Sequence, residues 1–333
     1  MSEPAPWTLL HAHLHRYLKE RQLLKMGEAV LVAVSGGQDS VCLLKLLGDL
    51  QPKWGWRLGV AYCDHRWQLD SGNVDFVRNL AESWNLPFFL QTAERVDRTE
   101  AGAREWRYRV LAETALQQGY GYVVTGHTAS DRAETLLYNL IRGSGADGLQ
   151  ALSWKRSLAP GVDLVRPLLG VTRSETARFC QEMHLPIWED PANQDLKYAR
   201  NRIRLQLLPY LREHFNPQAD QTLAQTAELL QAEVEYLEAQ TTHLLDQSRH
   251  LEKPGLNRSL LKQAPLALQR RVARQFLLSL LPIAPNFEQV EKLVALIAAP
   301  NRSQTAPFPG GAIARVEADW IWLNLYPAGD SEP

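Results

Sequence analysis

The chain changes its hydrophobic period partway along. Between residues 29 and 125, short apolar runs alternate with longer stretches whose apolar positions recur every three or four residues. Ala29–Val34, Arg57–Cys63, Pro87–Leu90 and Tyr122–Thr125 are short and nearly continuous in apolar character, which predicts strands buried on both faces. Val41–Leu50, Gly72–Trp84, Ala101–Gln118 and Arg132–Arg142 carry the helical period. Strand and helix in alternation predict an α/β fold with a doubly wound parallel sheet, whose ligands bind at the carboxyl ends of the strands. A leading helix over Leu9–Leu24 precedes the sheet. Its His11, His13 and His15 alternate, which spreads them around a helix axis, so they are expected to be solvated rather than metal-ligating. From Ala219 the period is helical, over Ala219–Leu245, Ala264–Leu280 and Phe287–Ala298. Gly310-Gly311 and the runs Ala312–Glu317 and Trp320–Leu323 then predict a terminal hairpin. The shift near Glu213–Pro217 divides the chain into an α/β domain, 1–215, and a mainly helical C-terminal domain, 216–333. A length of 333 residues accommodates two domains.

Composition narrows the classes. Net charge is −1, so any nucleic-acid binding must come from local patches. The three cysteines, Cys42, Cys63 and Cys180, form no CxxC pair, which fits a reducing cytoplasm better than a disulfide scaffold. Cys42 and Cys63 lie in apolar patterns and are expected in the core. Ser2–Pro6 holds no signal-peptide core, and no apolar stretch is long enough to predict a membrane span.

The most informative run is Ser35-Gly36-Gly37-Gln38-Asp39-Ser40, between the first strand and its helix. Glycines let the backbone approach a ligand, first-turn N–H groups point at it, and two hydroxyls can add donors. Asp39 would repel phosphate unless a cation lay between, which points to Mg²⁺ bridging Asp39 and a polyphosphate. The pattern G-x-x-x-x-G-K-[ST] occurs nowhere, so this is not a Walker loop.

Other motifs fall at the remaining strand ends. Asp64-His65-Arg66 follows the second strand and the segment around Glu100 the third. After the fourth strand comes Gly126-His127-Thr128-Ala129-Ser130-Asp131-Arg132-Ala133-Glu134, with Ser130 a candidate N-cap. Asp131 and Glu134, three apart on one helix face, could bind a metal, hold an ammonium or deprotonate an amine. Arg104 and Arg107 stand one turn apart and could clamp a phosphate or a carboxylate. Arg142–Leu149 is glycine-rich, a candidate cover over the ligand. Lys197, Arg200, Arg202 and Arg204, with Tyr198, form a candidate phosphodiester track. Lys262, Arg270, Arg271 and Arg274 form a second one.

Together these motifs resemble the tRNA(Ile)-lysidine synthetase family, a branch of the N-type ATP pyrophosphatases (PP-loop superfamily, adenine nucleotide alpha-hydrolase-like fold). The resemblance runs through residues 25–215 and more loosely beyond. It rests on Ser35–Ser40, Asp64-His65, Glu100–Tyr108, Gly126–Thr135, Arg142–Gly145, Gly148-Leu149, Trp188–Pro191 with Asn193, and Arg200–Arg204. It implies that ATP adenylates O2 of the wobble cytidine of tRNA(Ile) with a CAU anticodon. The ε-amine of free L-lysine would then displace AMP from C2, giving lysidine and changing codon reading from AUG to AUA. Ser35, Gly36, Gly37, Gln38, Asp39, Ser40, Asp64 and Arg107 would bind ATP, with Asp39 as the Mg²⁺ ligand. Asp131 and Glu134 would bind lysine's ammonium or assist its deprotonation, Arg107 would also contact the activated base, and His127 would orient the Asp131 helix. Lys197, Arg200, Arg202, Arg204, Arg270, Arg271 and Arg274 would contact tRNA. The residues around His65, including Arg66 and Trp67, depart from many members. The chain is also short: longer members have an additional C-terminal domain, this one is expected to keep only the first helical one, and the resemblance to shorter members implies a homodimer.

Rival readings remain. A tRNA thiolase would share the loop but generally uses a cysteine pair or a cluster. An amidotransferase-type synthetase would need a glutaminase domain. An NAD synthetase would lack the Arg200–Arg204 run. A non-catalytic nucleotide- or tRNA-binding module would not need three carboxylates near a polyphosphate.

Overall fold

A computed structural model describes residues 7–66, 72–94 and 99–324. Ser2–Pro6 and Trp67 lie outside them. In chain order the first elements are α1 (Leu9–Glu20), β1 (Ala29–Ala33), α2 (Gln38–Trp54), β2 (Arg57–Asp64), α3 (Gly72–Ser83), β3 (Phe88–Thr92), α4 (Glu100–Gln118), β4 (Tyr122–Thr125) and α5 (Ala129–Ile141). Then follow α6 (Ala146–Leu149), β5 (Lys155–Ala159), β6 (Val162–Val165), α7 (Arg173–Glu182), α8 (Ala199–Arg202), a π-helical turn (Ile203–Leu207) and α9 (Leu208–His214).

The six strands form one sheet in the order β3-β2-β1-β4-β6-β5. β3, β2, β1, β4 and β6 run parallel, and β5 pairs antiparallel to β6 at the edge. The doubly wound sheet expected from the alternation is therefore present, with one addition. The β5–β6 hairpin turns at Pro160-Gly161, where Gly161 takes φ +81°, a conformation that suits glycine. Strand order reverses between β1 and β4, the neighbours on either side of which lead in opposite directions, so the crevice at their carboxyl ends is where a ligand belongs. Leu43, Leu44, Leu46 and Leu47 of α2 are fully buried. Each such side chain contributes about 1.5–3 kcal/mol relative to exposure, and together they press the helix that carries the Gly-Gly turn onto the sheet.

His11 departs from expectation. It is buried, its ring bonds the Asp49 carboxylate at 3.1 Å, and it forms a capping box with Thr8. A helix-periodicity argument sees only the axis of α1 and misses Asp49, which arrives from α2.

The second part of the chain contains α10 (Ala219–Ser248), β7 (Gly255–Asn257), α11 (Arg258–Lys262), α12 (Leu266–Leu278), α13 (Phe287–Leu296), β8 (Ile313–Glu317) and β9 (Trp320–Asn324). β8 and β9 pair antiparallel, with β7 on the other side of β9. The compact units divide between Gln231 and Ala232, inside α10. The start of that helix is fastened to α5 and α9. Fully buried Arg132 donates to Glu228 at 3.1 Å and Gln231 at 3.0 Å, Ser130 donates to Asp220 at 2.5 Å, and Arg212 forks the same Asp220. No helix among the described residues is long and apolar enough to cross a membrane.

Candidate active site

The Gly-Gly turn is built as an anion cradle. Gly36 takes φ +84°, and α2 begins at Gly37 with no side-chain cap, so its first-turn amides are left for a ligand. The Ser40 hydroxyl donates to the Gly37 carbonyl at 2.8 Å and accepts from the Ser35 amide at 3.2 Å, closing the loop on itself. From outside, Asn73 donates to the Ser35 carbonyl at 3.1 Å and the Trp188 amide to the Gly36 carbonyl at 2.9 Å. The Trp188–Pro191 motif thus clasps the loop.

The loop opens into a cavity of about 590 Å³ at the carboxyl ends of β1, β2 and β4. Asp64, His65, Arg107, His127, Asp131 and Arg204 all reach its wall, joined by Asp190, Asn193 and Tyr198. Residues separated by more than 160 positions in sequence therefore share one chamber. Gly126 makes this possible. A Cβ there would meet the backbone of Asp39 at 2.9 Å and of Ser40 at 3.0 Å. Gly126→Ala is accordingly expected to lose about 1–3 kcal/mol of stability through overpacking against backbone that cannot yield. It should also raise KM for ATP. Gly48→Ala, in open space on α2, should be neutral or stabilising; thermal melts and ATP kinetics on the two variants check this.

Three carboxylates and two arginines set the electrostatics. Asp39 accepts from the Thr176 hydroxyl and from Gln38 at 3.3 Å, and Arg173 stands 3.6 Å away. Burial, with Asp131 nearby, holds the Asp39 carboxyl above the usual range, against the pull of Arg173 and Thr176. Such a carboxylate is short of positive charge. Asp131 is the N3 residue of a capping box: Thr128, not Ser130, caps α5, and both its amide (2.8 Å) and its hydroxyl (2.9 Å) donate to Asp131 Oδ2. Ser130 is turned to Asp220 instead. Burial works against ionised Asp131, but the Arg204 guanidinium and the Thr128 bonds oppose it, and its pKa lies below the usual value.

Glu134 is 3 % exposed and is gripped by Arg204 through two bonds, Nε–Oε1 at 2.6 Å and Nη2–Oε2 at 2.8 Å. The same Nη2 reaches Asp131 Oδ1 at 3.1 Å. Arg204 therefore points into the site from the π-helical turn, a local widening often found at functional positions. Its place in the run Lys197–Arg204 predicts an RNA track instead. Lys197 and Arg202 do face outward, Arg200 is half-buried against Tyr138, and Arg270, Arg271 and Arg274 stand on α12 of the second unit, with Arg270 forking Glu291 at 2.7 and 2.9 Å.

The imidazoles are neutral. Burial, with Arg166, Arg107 and Arg104 nearby, brings His127 down to about 3 despite Asp131, and its Nδ1 pairs with the Thr125 hydroxyl at 2.8 Å. His65 falls to about 4 through burial and Arg107, and its ring meets Trp106 edge-on. Arg166, which follows β6, is 1 % exposed. It donates to the Ser153 carbonyl at 2.7 Å and to the Tyr108 hydroxyl at 3.3 Å, bringing positive charge beneath the arginines of α4. Its only sequence signal was a charged residue ending an apolar strand.

Residues 10–211 match the model of the PP-loop domain, and residues 256–322 that of the TilS substrate binding domain. The chain is 60% identical to the tRNA(Ile)-lysidine synthase of Nostoc sp. over 333 residues, covering 96% of this chain and 97% of that protein.

The chain belongs to the tRNA(Ile)-lysidine synthase family.

The Synechocystis tRNA(Ile)-lysidine synthase is 52% identical, covering 95% of this chain and 97% of that one, and the chloroplastic enzyme of Zygnema circumcarinatum is 37% identical, covering 87% and 80%. Among solved structures, the U34-tRNA thiolase NcsA from Methanococcus maripaludis shares the fold, with a TM-score of 0.56 at 16% identity over 66% of this chain and 77% of that one. Membership of the lysidine synthase family, with a PP-loop domain, makes ATP the nucleotide and tRNA the substrate, and the thiolase and binding-module readings are not favoured.

Proposed function

We propose that this chain joins L-lysine to C2 of the wobble cytidine of tRNA(Ile) carrying a CAU anticodon, at the expense of ATP. One observation carries the reading: the anion cradle at Ser35–Ser40 and the Asp131–Arg204–Glu134 cluster open into the same cavity. An adenylating half and an amine-holding half must share a chamber if one cytidine is to be activated at O2 and then attacked at C2.

The cradle binds the ATP phosphates, with Ser35, Gly36, Gly37, Gln38 and Ser40 supplying donors and Asp64 and Arg107 walls of the nucleotide site. Cytidine O2 attacks the α phosphorus, and the bond to pyrophosphate breaks. Asp39 suits Mg²⁺, since a desolvated carboxylate short of positive charge beside a phosphate cradle matches a cation held by one carboxylate and phosphate oxygens. Mg²⁺ there would neutralise charge on the phosphates. Lysine's nitrogen then attacks C2, the C2–O2 bond breaks, and AMP leaves with O2. An ammonium with a pKa of about 10.4 must shed protons. Asp131 lines the cavity and takes one bond from Arg204, whereas Glu134 is absent from the cavity wall and takes both arms of the Arg204 fork, so Asp131 is the carboxylate that meets the amine. A weak base suffices, because the nitrogen's remaining protons become acidic once it bonds to C2. Neutral His127 orients this wall through Thr125. Residues 216–333 serve as the tRNA-binding domain with Arg270, Arg271 and Arg274, the enzyme works in the cytoplasm, and it acts as a homodimer.

Incubation with labelled lysine, ATP and the tRNA(Ile) transcript tests this. Lysine should enter tRNA with one AMP and one pyrophosphate released per event. AMP release without lysine uptake would overturn the choice of nucleophile.

A further inference from the structure

A second groove, of about 660 Å³, is walled by Tyr138, Ile141, Arg142, Arg202, Leu207 and Tyr210. We propose that it receives an unpaired nucleobase of the substrate RNA, one flanking the reacting cytidine; this rests on the tRNA-modifying reading above.

The walls have the chemistry of a base-stacking site. Tyr210 is 53 % and Ile141 70 % exposed, so aromatic and aliphatic surface stands open. Arginines frame it. The Arg142 guanidinium lies 5.2 Å from the centre of the Tyr138 ring and donates to its hydroxyl at 3.0 Å, and Arg200 lies 5.8 Å from the same ring. Arg202 is braced by two bonds to the carbonyls of Leu196 and Lys197. Unpaired bases stack on aromatic rings and guanidinium planes, while the phosphates between them meet cations.

Charge decides between RNA and a second copy of the chain. Arg142 and Arg202 line the groove and no carboxylate does. A two-fold contact between copies would bring this patch against itself, cation to cation, whereas a polyanion complements it.

Position ties the groove to the chemistry. Tyr138 follows Glu134 by one turn of α5 and so shares its face. Leu207 belongs to the π-helical turn that sends Arg204 into the cavity. A strand whose cytidine reaches Asp131 therefore passes this groove with a neighbouring nucleotide. The basic run from Lys197 to Arg204 is divided accordingly, its last arginine on the carboxylates and Arg202 on the rim.

Tyr210→Leu tests the assignment, because an exposed side chain can be changed without unfolding the protein. KM for tRNA should rise about tenfold, the size of a lost base–aromatic stack of about 1.4 kcal/mol. KM for ATP and for lysine should not move, and Tyr210→Phe should behave as wild type. Transcripts with an abasic nucleotide at each anticodon-loop position then locate the partner. At one position other than the cytidine, the abasic tRNA should show the same rise with the wild-type enzyme and no further rise with Tyr210→Leu. An unchanged tRNA KM, or additive effects at every position, overturns the stacking site, as does a Tyr210→Leu variant that alters only the association state. The lysidine reading is judged separately: it fails if the wild-type enzyme incorporates no lysine at saturating tRNA.

Discussion

Asp39→Asn is expected to slow pyrophosphate release by roughly a hundred- to a thousandfold, the range seen when a single preorganised electrostatic group is removed from a transition state. The substitution keeps the shape of the side chain and an oxygen that can accept from Thr176. It removes the charge. In the folded chain that charge is disfavoured, since burial and Asp131 raise the Asp39 carboxyl above its usual range. A neutral isostere should therefore fold at least as well, and its advantage should grow as pH rises above the ordinary aspartate range. The prediction is thus a separation: melting temperature preserved or raised, turnover nearly lost. The Mg²⁺ concentration for half-maximal rate should also rise, because the handle for the cation is gone. A fall in pyrophosphate release of less than tenfold would show that the loop needs no charge at this position. A parallel loss of melting temperature would show that Asp39 holds α2 to α7 and not a ligand.

Much of this site was legible in sequence because its parts are local. A β-branched run, two glycines and a helix suffice to specify an anion cradle, and the six residues that form it are contiguous. Asp131 and Glu134 declare their shared face by their spacing. What escaped was decided by distant partners. Ser130 looked like the cap of α5, but Thr128 two residues earlier closes the box with Asp131, and Ser130 is drawn off by Asp220 from α10. The β5–β6 edge hairpin was missed, since β5, Lys155–Ala159, alternates weakly and depends on β6 for its pairing. Arg204 read as one of four cations in a row. Only the π-helical turn, invisible to a count of charges, turns it toward Glu134 while Arg202 stays outside.

Arg204→Met should then cost about 3–5 kcal/mol of stability, the price of leaving one partner of a buried ion pair uncompensated. Glu134 is nearly inaccessible, and Arg204 supplies its bidentate grip. Burial already holds the Glu134 carboxyl above its usual range, with the Arg204 bond as the main opposing influence. Without Arg204 it moves further up. The folded protein then keeps a proton that the unfolded chain releases, so stability is fullest below the ordinary glutamate range and falls as pH rises through the raised native value. The deficit relative to wild type should be larger at pH 8 than at about pH 5, which denaturant titrations at the two pH values would measure. Glu134→Gln in the Arg204→Met background should recover part of the loss, because it removes the stranded charge; additive penalties would mean that the two side chains are not coupled. Function should divide along the same line. Pyrophosphate release depends on the cradle at Ser35–Ser40 and should survive better than lysine transfer, which depends on Asp131 keeping its place and its charge. Arg204 secures both, through the bond to Asp131 Oδ1.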